Sequence, residues 1–253
     1  MDLLEKSKNN QRHPWELARY EVIKSLLGKH VYDYAGKKVL DLGCGDLFFL
    51  NEFAKDKPDA DFYAIDTAFT KDFIDSEAKT TNIKLFNSTL ELSNEDEIKF
   101  DIIFLMDVIE HIEDDKAFLL NIKEKFCIPG QTHIIITVPA FQQLFCYHDN
   151  FLGHYRRYTN TNLKEVVKNA DFKPLENGYF FIGLLAPRAF EVLKERILGQ
   201  KETSGTRLTS WNQGHIVTNT IKHLLILDFK ISKFFRRAGL NLPGLSNYLI
   251  CKI

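Results

Sequence analysis

The chain holds only four cysteines, Cys44, Cys127, Cys146 and Cys251, and no two of them form a C-x-x-C pair. Neither a zinc-ribbon site nor a disulfide framework is expected from such spacing, and reduced thiols in a cytoplasmic setting fit best. No apolar run approaches the length of a membrane span, and the polar stretch MDLLEKSKNNQRHPW lacks the apolar core of a signal peptide. A soluble or peripheral protein is the expectation. Internal repeats and low-complexity linkers are also missing. So is any large excess of charge: 33 Lys and Arg meet 34 Asp and Glu, for a net charge of −1. Without a basic face interleaved with aromatics, or a recognisable binding module, nucleic acid is not an expected partner.

What the chain has is ordinary globular material in short pieces. Apolar residues make up 45% and charged residues 26% of 253 positions, enough for one large α/β domain, and phenylalanine is abundant at 21 copies. Charge is unevenly spread, with residues 184–253 near +7 and the first 183 near −8. HPWELARYEVIKSLLGKH reads as a helix opening at Pro14 and stopping at Gly28. Five apolar runs follow, KKVLDL, DFYAID, IKLFN, FDIIFLMD and THIIITVP, separated by polar helical stretches such as LFFLNEFAKD and DDKAFLLNIKEKF. Strands alternating with helices predict βαβ units and a largely parallel sheet covered on both faces. After Pro139 come a polar, aromatic loop through Tyr158, a helix near 160–170, a strand near 172–182, two longer helices, and a last strand in LSNYLICKI.

The stretch VLDLGCGDLFFL places Asp41, Gly43, Cys44 and Gly45 where a strand passes into a helix. Glycines there let a backbone approach a ligand, or simply make a tight turn. DFYAID ends in Asp66, followed by Thr67, and a carboxylate ending the second strand either accepts from ribose hydroxyls or caps the next turn. Asp46, Leu47 and Phe48 after Gly45 supply no third glycine and put a carboxylate where a pyrophosphate would be repelled, which disfavours a dinucleotide.

In order and spacing these segments resemble the class I S-adenosylmethionine-dependent methyltransferases. VLDLGCG looks like their first motif, YAID their second, FDIIFLMDVIEHIEDDKAFL their fourth-strand motif and PGQTHIIITVP their fifth-strand segment, over roughly residues 13–183. HPWELAR and FLGHYRRYT are similar to a bacterial subgroup with a HYRRY-type loop. The resemblance implies a Rossmann-like fold, a mostly parallel seven-stranded sheet with helices on both faces and a helical insertion before the last strand. The implied divisions are an N-terminal helical cap (1–36), a cofactor-binding core (37–183), a helical lobe (184–240) and the final strand (241–253). It implies S-adenosylmethionine as cofactor. Asp41 and the Gly43–Gly45 backbone would face its methionyl part, Asp66 its ribose, Asn87 or Ser88 its adenine, and Met106 and Asp107 its methionyl end. The family often has glycine where Leu47 stands.

The loop CYHDNFLGHYRRYT follows the fifth strand, at the sheet edge where open α/β sheets bind ligands. It reads either as an acceptor lid, with Tyr155, Arg156, Arg157 and Tyr158 as contacts, or as a structural lid held by an Asp–Arg pair. His148 and His154, with His111 behind them, are the candidate general bases. Asp107, Glu110 and His111 are spaced like a first helical turn, so capping competes with a site role, and without a diagnostic ligand spacing no metal is expected. The expected activity is methyl transfer to a small molecule such as a glycan, lipid or quinone precursor; the alternative is a non-catalytic cofactor-binding regulatory or assembly protein. The helix predicted over Ile216–Gly239 carries an apolar stripe flanked by Lys222, Lys230, Lys233, Arg236 and Arg237. It either covers the core or meets the inner face of a membrane.

Overall fold

A computed structural model describes residues 12–93, 98–199 and 211–253. In chain order the elements are α1 (Pro14–Leu27), β1 (Lys38–Leu42), α2 (Phe48–Ala54), β2 (Asp61–Ile65), α3 (Lys71–Glu77), β3 (Ile83–Phe86), α4 (Thr89–Ser93), β4 (Ile102–Met106) and α5 (Asp115–Phe126). There follow β5 (His133–Pro139), α6 (Tyr147–Phe151), α7 (Asn160–Asn169), β6 (Lys173–Phe180), α8 (Leu185–Leu198), α9 (Gly214–Arg237) and β7 (Ser246–Lys252).

The strands form one sheet in the order β3-β2-β1-β4-β5-β7-β6. β7 runs antiparallel to both its neighbours, while β1 to β5 pair in parallel. This is the expected Rossmann-like sheet with a helical insertion before its last strand. Because residues two apart in a strand share a face, the apolar runs supply two cores. On one side Leu40, Tyr63, Ile103, Ile134 and Leu249 meet Leu119 and Ile122 of α5 and Leu163 and Val167 of α7. On the other, Val39, Ile102, Phe104, Ile135 and Ile250 meet Ala18, Val22 and Leu26 of α1, Leu50 and Phe53 of α2, and Leu225 and Phe229 of α9. Part of the phenylalanine excess lies here: Phe104 meets Phe49 and Phe53 edge-on at 4.9 and 5.3 Å between ring centroids, contacts worth about 0.5–1.5 kcal/mol each beyond burial.

The entry to α1 is built as its sequence predicts, with Pro14 in the first turn and a reciprocal cap in which the His13 N–H donates to Glu16 at 3.1 Å. Three helices were not anticipated. α3 and α4 are short and weakly periodic, and α6 lies inside the stretch expected to be loop, where Asp149 accepts from the Cys146 N–H at 3.0 Å and starts a turn. All four cysteines are buried and free.

α9 is tied to the body by charge as well as by its apolar face. The Asp228 carboxylate accepts from the Ile182 and Gly183 amides at 3.1 and 2.7 Å. Arg236 donates to Glu176, which Lys29 also meets at 2.6 Å. Burial would raise the Glu176 pKa, but the Lys29 hydrogen bond and the Arg236 charge bring it down to about 2. Arg236, expected as a free basic flank, is thus an internal anchor.

Candidate active site

The chain reverses its order of strand addition between β1 and β4, and a crevice opens there at the carboxyl ends of the strands. It widens into a cavity of about 1050 Å³. Four groups of residues line it: the ends of β1, β2 and β4, the start of α1, the loop carrying α6, and α8 with Trp211.

At the first end, Gly43 and Gly45 have φ of +77° and +58°, a region that excludes most side chains. A Cβ on Gly43 would also lie 2.6 Å from Cγ2 of Val108. Gly43→Ala is therefore expected to destabilise the fold by about 1–3 kcal/mol and to displace the turn, read as a lowered melting temperature together with weakened nucleoside binding. The Gly43 and Cys44 amides both donate to Ile65 O, at 2.8 and 3.2 Å, and Gly45 donates to Asp66 Oδ2 at 2.8 Å. These donors are committed to the turn; what the glycines offer a ligand is close approach. Leu47 stands where the resemblance leads one to expect glycine, and it adopts φ +64° itself while burying its side chain in the core.

Asp66 lines the cavity, its Oδ1 accepting from the Ala68 amide at 2.9 Å, so each carboxylate oxygen keeps a lone pair. Thr67, Ser88, Met106 and Asp107 line it too. Asp107 has φ +55°; its carboxylate accepts from Arg19 of α1 and from the Thr137 hydroxyl at 3.2 Å, while Arg19 also donates to Thr137 at 2.9 Å. Positive φ at Leu47, Asp107, Phe141 and Phe181 marks residues just past four of the sheet's strands, three of them on the parallel strands β1, β4 and β5.

At the other end stand His111, His148, His154 and Arg157, joined by Arg188 of α8. Asp149 is fully buried and, besides the Cys146 amide, meets Nε and Nη2 of Arg157 at 2.8 and 3.0 Å and Nδ1 of His154 at 2.9 Å. Burial would raise its pKa, but the His154 hydrogen bond and the Arg157 charge hold it well below the usual carboxylate range. With Nδ1 so engaged, His154 turns Nε2 to other partners. Burial, aided by the Arg188 charge, lowers His148 to about 4, so it is neutral near pH 7.

Several expected contacts lie elsewhere. Asp41 does not reach the wall: it shares the α1 face of β1, is fully buried beneath the turn, and is raised to about 7 mainly by that burial. Cys44 is packed into the same core. Asn87 is exposed, its amide donating to Glu91, and it leaves Ser88 on the wall. Arg156 turns away to Asp115 at 2.9 Å and the Glu113 carbonyl at 2.6 Å, Tyr158 is buried with its hydroxyl on Asp115 at 2.8 Å, and Tyr155 points to solvent. Arg157 lines the cavity, but as the partner of Asp149. An extended segment alternates its sides, which is why neighbouring arginines part.

Sequence reasoning missed the contribution of α1. Arg12, His13, Trp15, Glu16 and Arg19 all line the cavity, and Arg12 pairs with Asp46 at 2.5 Å. The HPWELAR string held these residues without any cue to their direction. Arg188 likewise comes from a helix that carried no motif. Glu110, for which capping competed with a site role, is fully buried, and both its oxygens lack a hydrogen-bond partner.

The lining fits S-adenosylmethionine. Asp66 offers ribose acceptors, Asp107 places a carboxylate beside the turn where a cationic donor suits and a pyrophosphate does not, and Val108, Ile65 and Trp15 supply apolar walls. Among solved structures, coclaurine N-methyltransferase bound to N-methylheliamine and S-adenosylhomocysteine matches with TM-score 0.58 at 13% identity, over 92% of this chain and 70% of that one. Phosphoethanolamine N-methyltransferase 2 of Haemonchus contortus, in complex with S-adenosyl-L-methionine, matches with TM-score 0.53 at 20% identity, over 92% and 52%. The YcgJ protein of Bacillus subtilis matches with TM-score 0.52 at 15% identity, over 90% and 97%. At these identities the likeness is one of fold. No curated protein matches the sequence. A family model for the methyltransferase domain matches residues 15–177, so that α1 from Trp15 onward, the glycine turn and the cavity walls from Trp15 up to β6 fall within it, and the chain belongs to the methyltransferase domain family.

Proposed function

We propose that this chain transfers a methyl group from S-adenosylmethionine to a small-molecule acceptor. The observation that carries this reading is a single cavity joining the Gly43–Asp66 end to the His154–Arg188 end, with room for both molecules. When bound, the cofactor supplies a sulfonium methyl group, which the acceptor's lone pair takes as the C–S bond breaks. Asp66 holds the ribose, Ser88 borders the adenine, and Met106 and Asp107 flank the methionyl end. The chain's main task is orientation, which is worth about 7–11 kcal/mol when two reactants are held in line. His154, fixed by Asp149, stands on the acceptor side, and Arg188 gives an anionic group of the acceptor its counter-charge. Calorimetry with S-adenosylmethionine, S-adenosylhomocysteine and NAD tests the cofactor assignment: saturable binding of the first two and none of NAD is expected. NAD binding, or none of the three, overturns it.

We propose further that the outer surface of α8 and α9 rests on an anionic bilayer. No helix among the described residues is long and apolar enough to cross a membrane. Yet Phe190, Ile197, Leu224, Leu227 and Phe234 are exposed, the last three on one face of α9 opposite buried Leu225 and Phe229, with Lys194, Lys230 and Arg237 exposed on the same two helices. Leu184, Pro187 and Arg188 line the cavity from the start of this region, so an amphipathic acceptor would enter from the bilayer side. Sedimentation with anionic but not neutral liposomes is expected, lost at high salt and in a Lys194→Glu, Lys230→Glu, Arg237→Glu variant. Wild-type protein left in the supernatant at low salt overturns it.

A further inference from the structure

We propose that Glu110, His111 and His154 form a divalent-metal site on the acceptor wall of the cavity. One ligand atom from each lies within 4.8 Å of the others. All three residues line the cavity. An ion bound at about 2.0–2.2 Å from each donor draws such a set together with small side-chain rotations. Three features of the surroundings fit a cation.

The first is Glu110, fully buried and with neither oxygen hydrogen-bonded. A buried carboxyl group without a hydrogen-bond partner is costly to leave so, and a bound cation would satisfy both oxygens' need for a partner. The second is the orientation of His154. Its Nδ1 lies 2.9 Å from a buried carboxylate that Arg157 fixes in turn, the arrangement by which outer carboxylates set ligand imidazoles with Nε2 outward. The third is the pair of rings, His111 and His154, edge to face with centroids 4.6 Å apart.

One carboxylate and two imidazoles suit a first-row divalent ion such as Zn²⁺, Mn²⁺ or Co²⁺ better than Ca²⁺. Three protein ligands leave coordination positions open toward the cavity. There an oxygen of the acceptor takes one of them, a consequence that rests on the reading of this wall as the acceptor side; the ion site itself does not. The sequence concealed the set because its third donor comes from a loop far from the Glu110–His111 pair.

The test is Co²⁺ titration of protein stripped with a chelator, followed by the visible bands of the bound ion. Saturation at one equivalent is expected, with Glu110→Gln and His154→Ala each weakening Co²⁺ by tenfold or more while still binding S-adenosylhomocysteine. No bands beyond those of aqueous Co²⁺ in the wild type, or variants that bind Co²⁺ as the wild type does, overturn the site. If a variant fails to fold, Mn²⁺ added to the wild type decides: it should broaden the ring-proton resonances of His111 and His154 before those of the other six of the eight histidines. Broadening that starts elsewhere, or none, overturns the site. S-adenosylhomocysteine calorimetry on the same samples keeps this outcome separate from the methyl-transfer reading.

Discussion

Asp66→Ala is expected to weaken S-adenosylhomocysteine binding by tenfold or more, the largest effect on ligand affinity of any single side chain at the turn. The carboxylate caps the Gly45 and Ala68 amides with one lone pair on each oxygen. Two lone pairs remain for ribose hydroxyls. A hydrogen bond to a charged group is worth about 1.5–3 kcal/mol, and about 1.4 kcal/mol is a factor of ten in affinity, so loss of even one such bond exceeds the threshold. Asp66→Asn separates the two duties, because an amide retains one acceptor oxygen and loses the charge; its affinity should fall between those of wild type and Asp66→Ala. Calorimetry giving wild-type affinity for Asp66→Ala would remove the ribose assignment.

Arg157→Ala is expected to produce the largest loss of stability, about 3–5 kcal/mol, because it leaves the fully buried Asp149 carboxylate without its charged guanidinium partner, on His154 and the Cys146 backbone alone. In a chain of this length that lowers the melting temperature by on the order of 10 °C. Arg156→Ala is the control. Its pair with Asp115 is partly exposed, and the loss should stay under about 1 kcal/mol. The pH dependence has a definite sign. Asp149 titrates well below an unfolded carboxylate, so its contribution is complete above the unfolded value of about 4 and drains away as pH falls further. The gap in melting temperature between wild type and Arg157→Ala should be widest near neutral pH and narrow below about pH 4. A gap that widens in acid would contradict the pairing.

The fold was legible because its signals are local. Pro14 and Gly28 bracket α1, the apolar runs alternate with helical spacing, and Gly43 and Gly45 occupy positive φ that their sequence context suggests. The direction of individual side chains was legible only in part. Arg156 and Arg157 are chemically alike and adjacent, yet one meets Asp115 and the other Asp149, since partners come from elements distant in sequence. Asp41 looks like a ligand contact until strand alternation puts it under the turn. The Arg19–Asp107 pair and the Glu110, His111, His154 group depend on α1, β4 and the β5 loop meeting at one sheet edge, which no spacing within a single segment encodes. Leu47 shows the limit in the other direction: a backbone with φ +64° suits glycine, yet leucine stands there because its buried side chain offsets the strain.

The most direct test of the account is a crystal structure of the protein grown with S-adenosylhomocysteine. Density is expected in the β1–β4 crevice, with the ribose hydroxyls on Asp66, the adenine beside Ser88, and the sulfur directed toward the wall of His111 and His154. A ligand bound elsewhere on the chain, or one lying in the crevice with its ribose away from Asp66 and its sulfur turned from His154, would contradict it.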